Sequence, residues 1–290
     1  MDKLRSLFGE SKLDVHQKYE LLREAVHGTM SAFHMARDKH TDEIVGLKIC
    51  DLQKTESFEG RFASLKKPSE GEIASQFEHP RIVKTIAFGT TTNDEHYVLM
   101  EYLDGIGLNS LIHQKSEALD GKRVPLIRQM AEALSYVHES GFIHRDVCPR
   151  NFICNHELTE IKLIDFGLTV PAQKEYMQPG NRTGTPSYMA PEIVRRRATD
   201  QRLDIFAFGV TVYQMCTYQL PWPGQDVSGK AAVSHDTKPP TDIFEVQPNL
   251  NRRLGETIMA CLAVDPSDRP QSMQEFLRRI SAVEQEFAED

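Results

Sequence analysis

Cysteine is scarce and odd in number, five in 290 residues, which fits neither a disulfide framework nor a small secreted scaffold. Long apolar runs are missing too. No stretch approaches the roughly 20 residues needed to cross a bilayer, and no apolar segment follows Met1-Asp2-Lys3-Leu4-Arg5 as a signal peptide would require. The expectation is a soluble chain without a membrane span, in a reducing, cytoplasmic compartment. No period of roughly 20–50 residues recurs and no segment is low in complexity, which removes solenoids and repeat arrays. Excess positive charge is also lacking. The 34 Lys and Arg stand against 42 Asp and Glu, a net of −8. Affinity for nucleic acid comes from clustered cations that release counterions from phosphates, so nucleic acid is not an expected partner. The one dense basic run, Arg195-Arg196-Arg197, reads as a solvated helix face or as a dock for acidic substrate segments.

Hydrophobic residues make up 40% of the chain, enough for a sizeable core. The length accommodates about two compact units or one fold of about 250 residues. Up to Tyr102 the text is strand-rich. Glu43–Ile49 and His96–Met100 are short β-branched or apolar runs, and turn-like Asp38–Asp42 precedes the first, so a twisted antiparallel sheet is expected. One helix should interrupt it, because Ser69 with Glu72 three residues on forms a capping box ahead of Ile73, Ala74 and Phe77, before His79-Pro80 stops the turn. From Leu108 the pattern becomes helical. Val124, Ile127, Met130, Ala131, Leu134 and Val137 recur at three- and four-residue steps, the stripe of an amphipathic helix that ends near Ser140-Gly141. Further helices are expected near Phe206–Cys216 and Met273–Phe287. Leu103–Gly107 is the connector, and residues 1–15 form a mixed-charge leader of unassigned role.

The polar motifs come in a fixed order. His144-Arg145-Asp146-Val147-Cys148-Pro149-Arg150-Asn151 precedes Asp165-Phe166-Gly167, which precedes Ala190-Pro191-Glu192. In this the sequence resembles the eukaryotic-type, or Hanks-type, protein kinases of the Ser/Thr branch, over about residues 19–282. The resemblance implies a two-lobed α+β fold. A β-rich lobe at about 16–102 with one main helix would be followed by a hinge at about 101–105 and a larger, mainly α lobe at about 106–285. It also implies ATP and Mg²⁺. Phosphoryl transfer needs little covalent help; it needs two anions held together, metal charge on the phosphates and the attacking hydroxyl in line. On that resemblance Asp146 is the base, Asn151 and Asp165 are metal ligands, and Lys48 reaches the phosphates. Oxygen and amide donors suit a hard octahedral Mg²⁺. The partner of Lys48 is Glu70 by its distance from Pro80, with Glu72 as a rival. The adenine and phosphate pocket would be lined by Val26, Gly28, Phe33, Gly46, Lys48, Met100, Glu101, Leu103 and Ile153, with Met100 at its back. Asp204 would anchor the loop around Asp146, and Arg269 would pair with Glu192. Pro149 and Gly184–Met189 resemble members directed at Ser or Thr of protein substrates, and an activating or scaffold partner is possible. Thr183 is the main candidate for an ordering phosphate paired with Arg145, with Tyr176 behind it and an unphosphorylated segment as the alternative.

A zinc site built from His144, Cys148, Cys154 and His156 matches no familiar spacing. Three departures from the family pattern carry more weight. Of the three glycines expected over the phosphates only Gly28 is present, with Val26 and Ser31 in place of the others. Phe33 and Gly46 exchange large and small where a Val and an Ala are usual, which either conserves volume or puts a ring in the adenine slot. Cys148 stands where a Lys normally faces the transferred phosphate, and a neutral thiol supplies no charge unless Arg150 or a substrate cation does so. The expected enzyme is therefore slow or regulated. The alternative is a pseudokinase, a binding or scaffolding module of the same fold. Glycine lets backbone N–H groups approach phosphates without a Cβ in the way, so the Val26→Gly and Ser31→Gly exchanges together are expected to tighten ATP binding. Titration calorimetry showing unchanged affinity would count against that cradle.

Overall fold

Period-two alternation organises the first half of the chain. The computed structural model describes residues 12–23, 25–27, 31–179, 183–222 and 230–287. It divides into two compact units, Met1–Leu103 and Asp104–Asp290. In the first, strands β1 (Tyr19–Leu21), β2 (Val26–His27), β3 (Ser31–Asp38), β4 (Ile44–Cys50), β5 (Thr85–Thr90) and β6 (His96–Glu101) form one antiparallel sheet. Its order is β1-β3-β4-β6-β5, with β2 added on β3. Along β4, Val45 and Leu47 enter a core with Tyr19, Ala36, Ala87, Tyr97 and Leu99, and Ile49 packs on it. The intervening Gly46, Lys48 and Cys50 therefore face the other way.

The leader is partly absorbed into this unit. Leu13 forms a parallel bridge to Thr91 and packs against the same core, while Asp14 caps a helical turn at Val15–Lys18, α1. The expectation of one helix is also corrected. Asp51 caps α2 (Leu52–Glu59) by accepting from the N–H of Lys54, and a tighter 3₁₀ stretch, Gly60–Leu65, follows. Ser69 and Glu72 then close the capping box of α3 (Glu70–Ala74), shorter than the apolar pattern to Phe77 implied. Beyond Ala74 the chain tightens into three-residue turns, Gln76 to Ile73 and Phe77 to Ala74.

The second unit is mainly helical. Its elements are α4 (Leu108–His113), α5 (Arg123–Glu139), α6 (Pro191–Val194), α7 (Arg202–Thr217), α8 (Lys230–Thr237), α9 (Ile243–Val246), α10 (Arg252–Cys261) and α11 (Met273–Arg279). Nearly every side chain of α7 is buried, as expected of a helix that is apolar all round and sits at the centre. The last helix is much shorter than the expected Met273–Phe287. Arg128 gathers the carbonyls of Ile280, Ser281 and Val283, which draws the chain out of the helix. Glu286 is then buried against Arg123, and Phe287 bridges Leu250. The arginine run is not on a helix face either. Arg195 follows α6 and pairs with Asp236, and Arg196 has a left-handed φ of 54°.

Arg269 is fully buried and makes a fork with Glu192, both N···O distances being 2.8 Å, while its remaining donors meet the carbonyls of Ala263, Val264 and Arg202. Removing one partner of a buried pair strands the other charge, at a typical cost of about 3–5 kcal/mol. Arg269→Ala is expected to lose that much in urea unfolding, with damage to folding appearing before damage to chemistry.

Candidate active site

Lys48 is fixed from two sides. Strand β4 turns it away from the core, and α3 brings Glu70 to it, with Nζ 2.6 Å from Oε1. Both side chains are nearly buried, 7% and 12% exposed, so the attraction is screened little. The helix can come this close because of Gly71. A Cβ there would lie 2.3 Å from Cβ of Phe88 on β5, and no side chain fits that gap. Glu72, the rival partner, is spent on the N–H and hydroxyl of Ser69. Sequence reasoning overlooked Lys67. Its side chain is 2% exposed, donates to the carbonyl of Pro68 and lies over the ring of Phe58. Burial lowers its pKa against the pull of Glu59, Glu70 and Glu72, so a second lysine sits in the field of the same carboxylate.

In the second unit two short ribbons bring distant residues together. Strands β7 (Ile106–Gly107), β9 (Phe152–Cys154) and β10 (Ile161–Leu163) form one small sheet, and β8 (Phe142–Ile143) pairs with β11 (Val170–Pro171). Phe152 is opposite Leu163, so Asn151 and Ile164 are neighbours just beyond the hairpin, joined by the Ile164 N–H to the Asn151 carbonyl at 2.9 Å. Ile143 is opposite Val170, which places His144 beside Thr169. The loop 144–151 and Asp165 are thus held at one end of these ribbons. Phe166 is buried and meets the His144 ring edge-on at 5.4 Å. Asp165 takes a left-handed φ of 65°, with Oδ1 accepting the Gly167 N–H.

Asp204, fully buried on α7, accepts the backbone N–H of His144 and of Arg145, both at 2.8 Å, and contacts His138 at 2.9 Å. Burial acts to raise its pKa, but the bond and charge of His138 and the backbone donors hold it below the ordinary carboxylate value. The stabilisation it gives is complete above the unfolded value of about 3.9 and is lost as pH falls through the lower folded one.

Asp146 is 8% exposed and fully engaged. Its Oδ1 accepts from the N–H and hydroxyl of Thr185, at 3.0 and 2.6 Å. Its Oδ2 accepts from Arg150 at 3.0 Å and from the Asn151 amide at 3.1 Å. Asn151 also donates to the Asp146 carbonyl at 2.7 Å, which leaves its own carbonyl oxygen as the atom with lone pairs to offer a cation. Cys148 is 1% exposed. Burial first, then the charge of Asp146, pushes its thiol up to about 12, so it is neither a thiolate nor a source of charge. Thr185, which the sequence marked only as part of a motif, is the residue in closest contact with the Asp146 carboxylate; the Gly184-Thr185-Pro186 signal was there, without a role attached.

With this geometry in place, comparison with known proteins adds a lineage. The profile of the protein kinase domain matches residues 19–279. The chain belongs to the protein kinase domain family. Among curated proteins it is 30% identical over 281 residues to serine/threonine-protein kinase pkn3 of Myxococcus xanthus, covering 93% of this chain and 50% of that protein. It is 29% identical over 266 residues to serine/threonine-protein kinase PknB of Mycobacterium tuberculosis, covering 89% of this chain and 41% of that protein. This kinase domain therefore spans half or less of the length of these relatives.

The other residues expected to line a nucleotide pocket divide between the two units. In the first, Val26 is 70% exposed on β2, opposite Phe33 of β3, and Gly28 lies outside the described residues. Met100 is buried on β6, Glu101 accepts the Lys84 N–H at 2.8 Å, and Leu103 is half-buried. In the second, Ile153 is half-buried on β9. Phe33 lies on Gly46: a Cβ built there would be 2.9 Å from the ring and 3.0 Å from Met100 Cγ. The Phe33 ring therefore occupies the space that a side chain at position 46 would need. Overpacking costs about 1–3 kcal/mol, so Gly46→Ala alone is expected to destabilise the kinase domain by an amount in that range. Adding Phe33→Val should recover most of it, and a denaturation cycle in which the two effects simply add would refute the compensation.

Proposed function

We propose that this chain is an ATP- and Mg²⁺-dependent protein kinase that transfers the γ-phosphate of ATP to serine or threonine hydroxyls of protein substrates. The observation that carries the reading is the Asp146 carboxylate, buried, oriented through both oxygens and set beside Asn151 and the strand leading to Asp165. A base must be held within hydrogen-bond reach of the proton it takes, and four donated bonds fix where the Asp146 carboxylate sits. Its task is to orient the incoming hydroxyl and accept its proton. Lys48, braced by Glu70, draws the α- and β-phosphates. Asn151 and Asp165 are the residues that would hold Mg²⁺. The fit rests on donor chemistry: an amide oxygen freed by the bond its nitrogen makes, and a carboxylate, both hard oxygen ligands. When bound, that ion neutralises charge on the phosphates during transfer.

Ser or Thr as acceptor is supported by Pro149 in the catalytic loop, by the contact of Thr185 with Asp146, and by the names of both relatives as serine/threonine-protein kinases. Arg145 donates to Thr183 at 3.3 Å, which supports Thr183 as the site of an ordering phosphate; Tyr176 is 5% exposed and less accessible. A reducing cytoplasmic setting fits five buried cysteines with no disulfide among the described residues. Among those residues no helix is long and apolar enough to cross a membrane.

The test uses purified protein with γ-labelled ATP, Mg²⁺ and a generic Ser/Thr substrate, beside Asp165→Ala. Label on the substrate should appear with the wild type and drop to background in the variant. Equal incorporation in the two would refute transfer at this site.

A further inference from the structure

An acceptor hydroxyl has to reach Asp146, and outside its own loop the Asp146 carboxylate is bonded by Thr185 alone among the described residues. A substrate segment that delivers a hydroxyl there passes along the stretch Gly184–Met189. That stretch is held at both ends. Gly184 presses on the loop, since a Cβ there would lie 2.9 Å from the Arg145 carbonyl oxygen. At the far end Tyr188 donates to Oε1 of Gln214 on α7 at 2.6 Å, and the Met189 carbonyl accepts from Nδ1 of His235 on α8 at 2.7 Å. Beneath the stretch is a small cavity lined by Val147, Met189, Ile193, Leu203 and Ala207. Packing from below does not by itself fix its position, so the polar ties at its ends carry that task.

His235 is an expensive residue for its surroundings. It is 1% exposed, with its ring 4.3 Å from that of Trp222 and 5.6 Å from that of Phe206. An imidazole in such an apolar cluster costs more than a Leu or Phe unless its N–H finds an acceptor. A carbonyl oxygen only accepts, so Nδ1 carries the proton. Burial lowers the pKa of His235 against the pull of that carbonyl, which leaves the ring neutral at pH 7 with this one proton to give. The helix that carries it is braced from both sides. Trp222 donates to the carbonyl of Lys238, just past the end of α8, at 2.9 Å, and Asp236 pairs with Arg195 beyond α6.

We propose that His235 is a positioning residue for the protein substrate: its bond to the Met189 carbonyl sets where the Gly184–Met189 stretch lies, and thereby how an acceptor segment docks beside Asp146. The proposal rests on the kinase reading above. His235 bonds neither the base nor a candidate metal ligand, so its loss weakens docking and leaves the transfer step in place.

Two variants separate the bond from the ring. His235→Phe keeps an aromatic ring against Trp222 and Phe206 and removes the donor. His235→Asn gives up the ring and keeps an amide N–H near the place of Nδ1. Melting temperature and the emission of Trp222, the only tryptophan in the chain, report folding. Where either form fails to fold, His235→Leu and His235→Gln are read in their places. The probe is a peptide with a single Ser or Thr, selected from a library by label uptake from the wild type. Its KM is expected to rise about tenfold in His235→Phe, the scale of one lost hydrogen bond. The kcat and the KM for ATP should change little, and His235→Asn should recover most of the loss. An unchanged peptide KM in His235→Phe, or a KM raised as much in His235→Asn, overturns the proposal and leaves the kinase reading standing. If the wild type transfers no phosphate, the kinase reading fails, and calorimetry with a peptide selected by binding decides instead. Affinity lost in His235→Phe and kept in His235→Asn supports the tie; equal affinity in all three, or no binding by the wild type, overturns it.

Discussion

The carboxylate of Asp204 has no exposure to solvent, and it accepts the backbone N–H groups of His144 and Arg145. Desolvating a carboxylate is expensive, and an anion in that place is tolerable only because His138 and two backbone donors converge on it. The consequence is directional. A backbone fixed at two successive N–H groups can present the next side chain, Asp146, in only a narrow range of positions. Arg145 takes a left-handed φ of 69° there, a conformation that side chains seldom adopt and that the anchor helps to hold.

From that point, pairing geometry does the rest in the second unit. The β9–β10 hairpin makes Asn151 and Ile164 adjacent, and β8–β11 does the same for His144 and Thr169. Four segments between Phe142 and Pro171 are thereby brought to one end of two small ribbons. The Glu192–Arg269 fork, buried on both sides, holds the stretch just beyond the Gly184–Met189 segment that delivers Thr185. The first unit solves a separate problem. It must give a buried lysine a partner, and it does so by letting α3 approach β5 at Gly71 so that Glu70 reaches Lys48.

Where the sequence departs from its family, the departures are coupled within the structure. Phe33 covers Gly46, so the large and small residues exchange places on neighbouring strands. Cys148 is silent as a charge, and the guanidinium of Arg150 engages the same base and the same threonine that the thiol adjoins.

The sequence by itself determined the lineage, the sheet-then-helix order and the roster of polar residues. Those follow from local spacing: alternation along β4 and β6, the helical stripe of α5, and motifs whose order survives without any neighbour in space. It also contained the capping box at Ser69 and Glu72, which opens α3, while leaving Glu72 a rival of Glu70 for Lys48. Only the tertiary structure decided the rest. It broke the segment between β4 and β5 into α2, a 3₁₀ turn and α3, and it ended the last helix at Arg279, because Arg128 and the buried Arg123 compete for the following backbone and for Glu286. It selected Glu70 as the partner of Lys48, through a gap that only glycine leaves open. It assigned Thr185 and Arg150 to Asp146, since those contacts span 39 and 4 residues and depend on how loops cross. Local pattern records which groups a segment offers; which of them meet is set by packing, where close approach, burial and unsatisfied donors are decided between segments far apart in the chain.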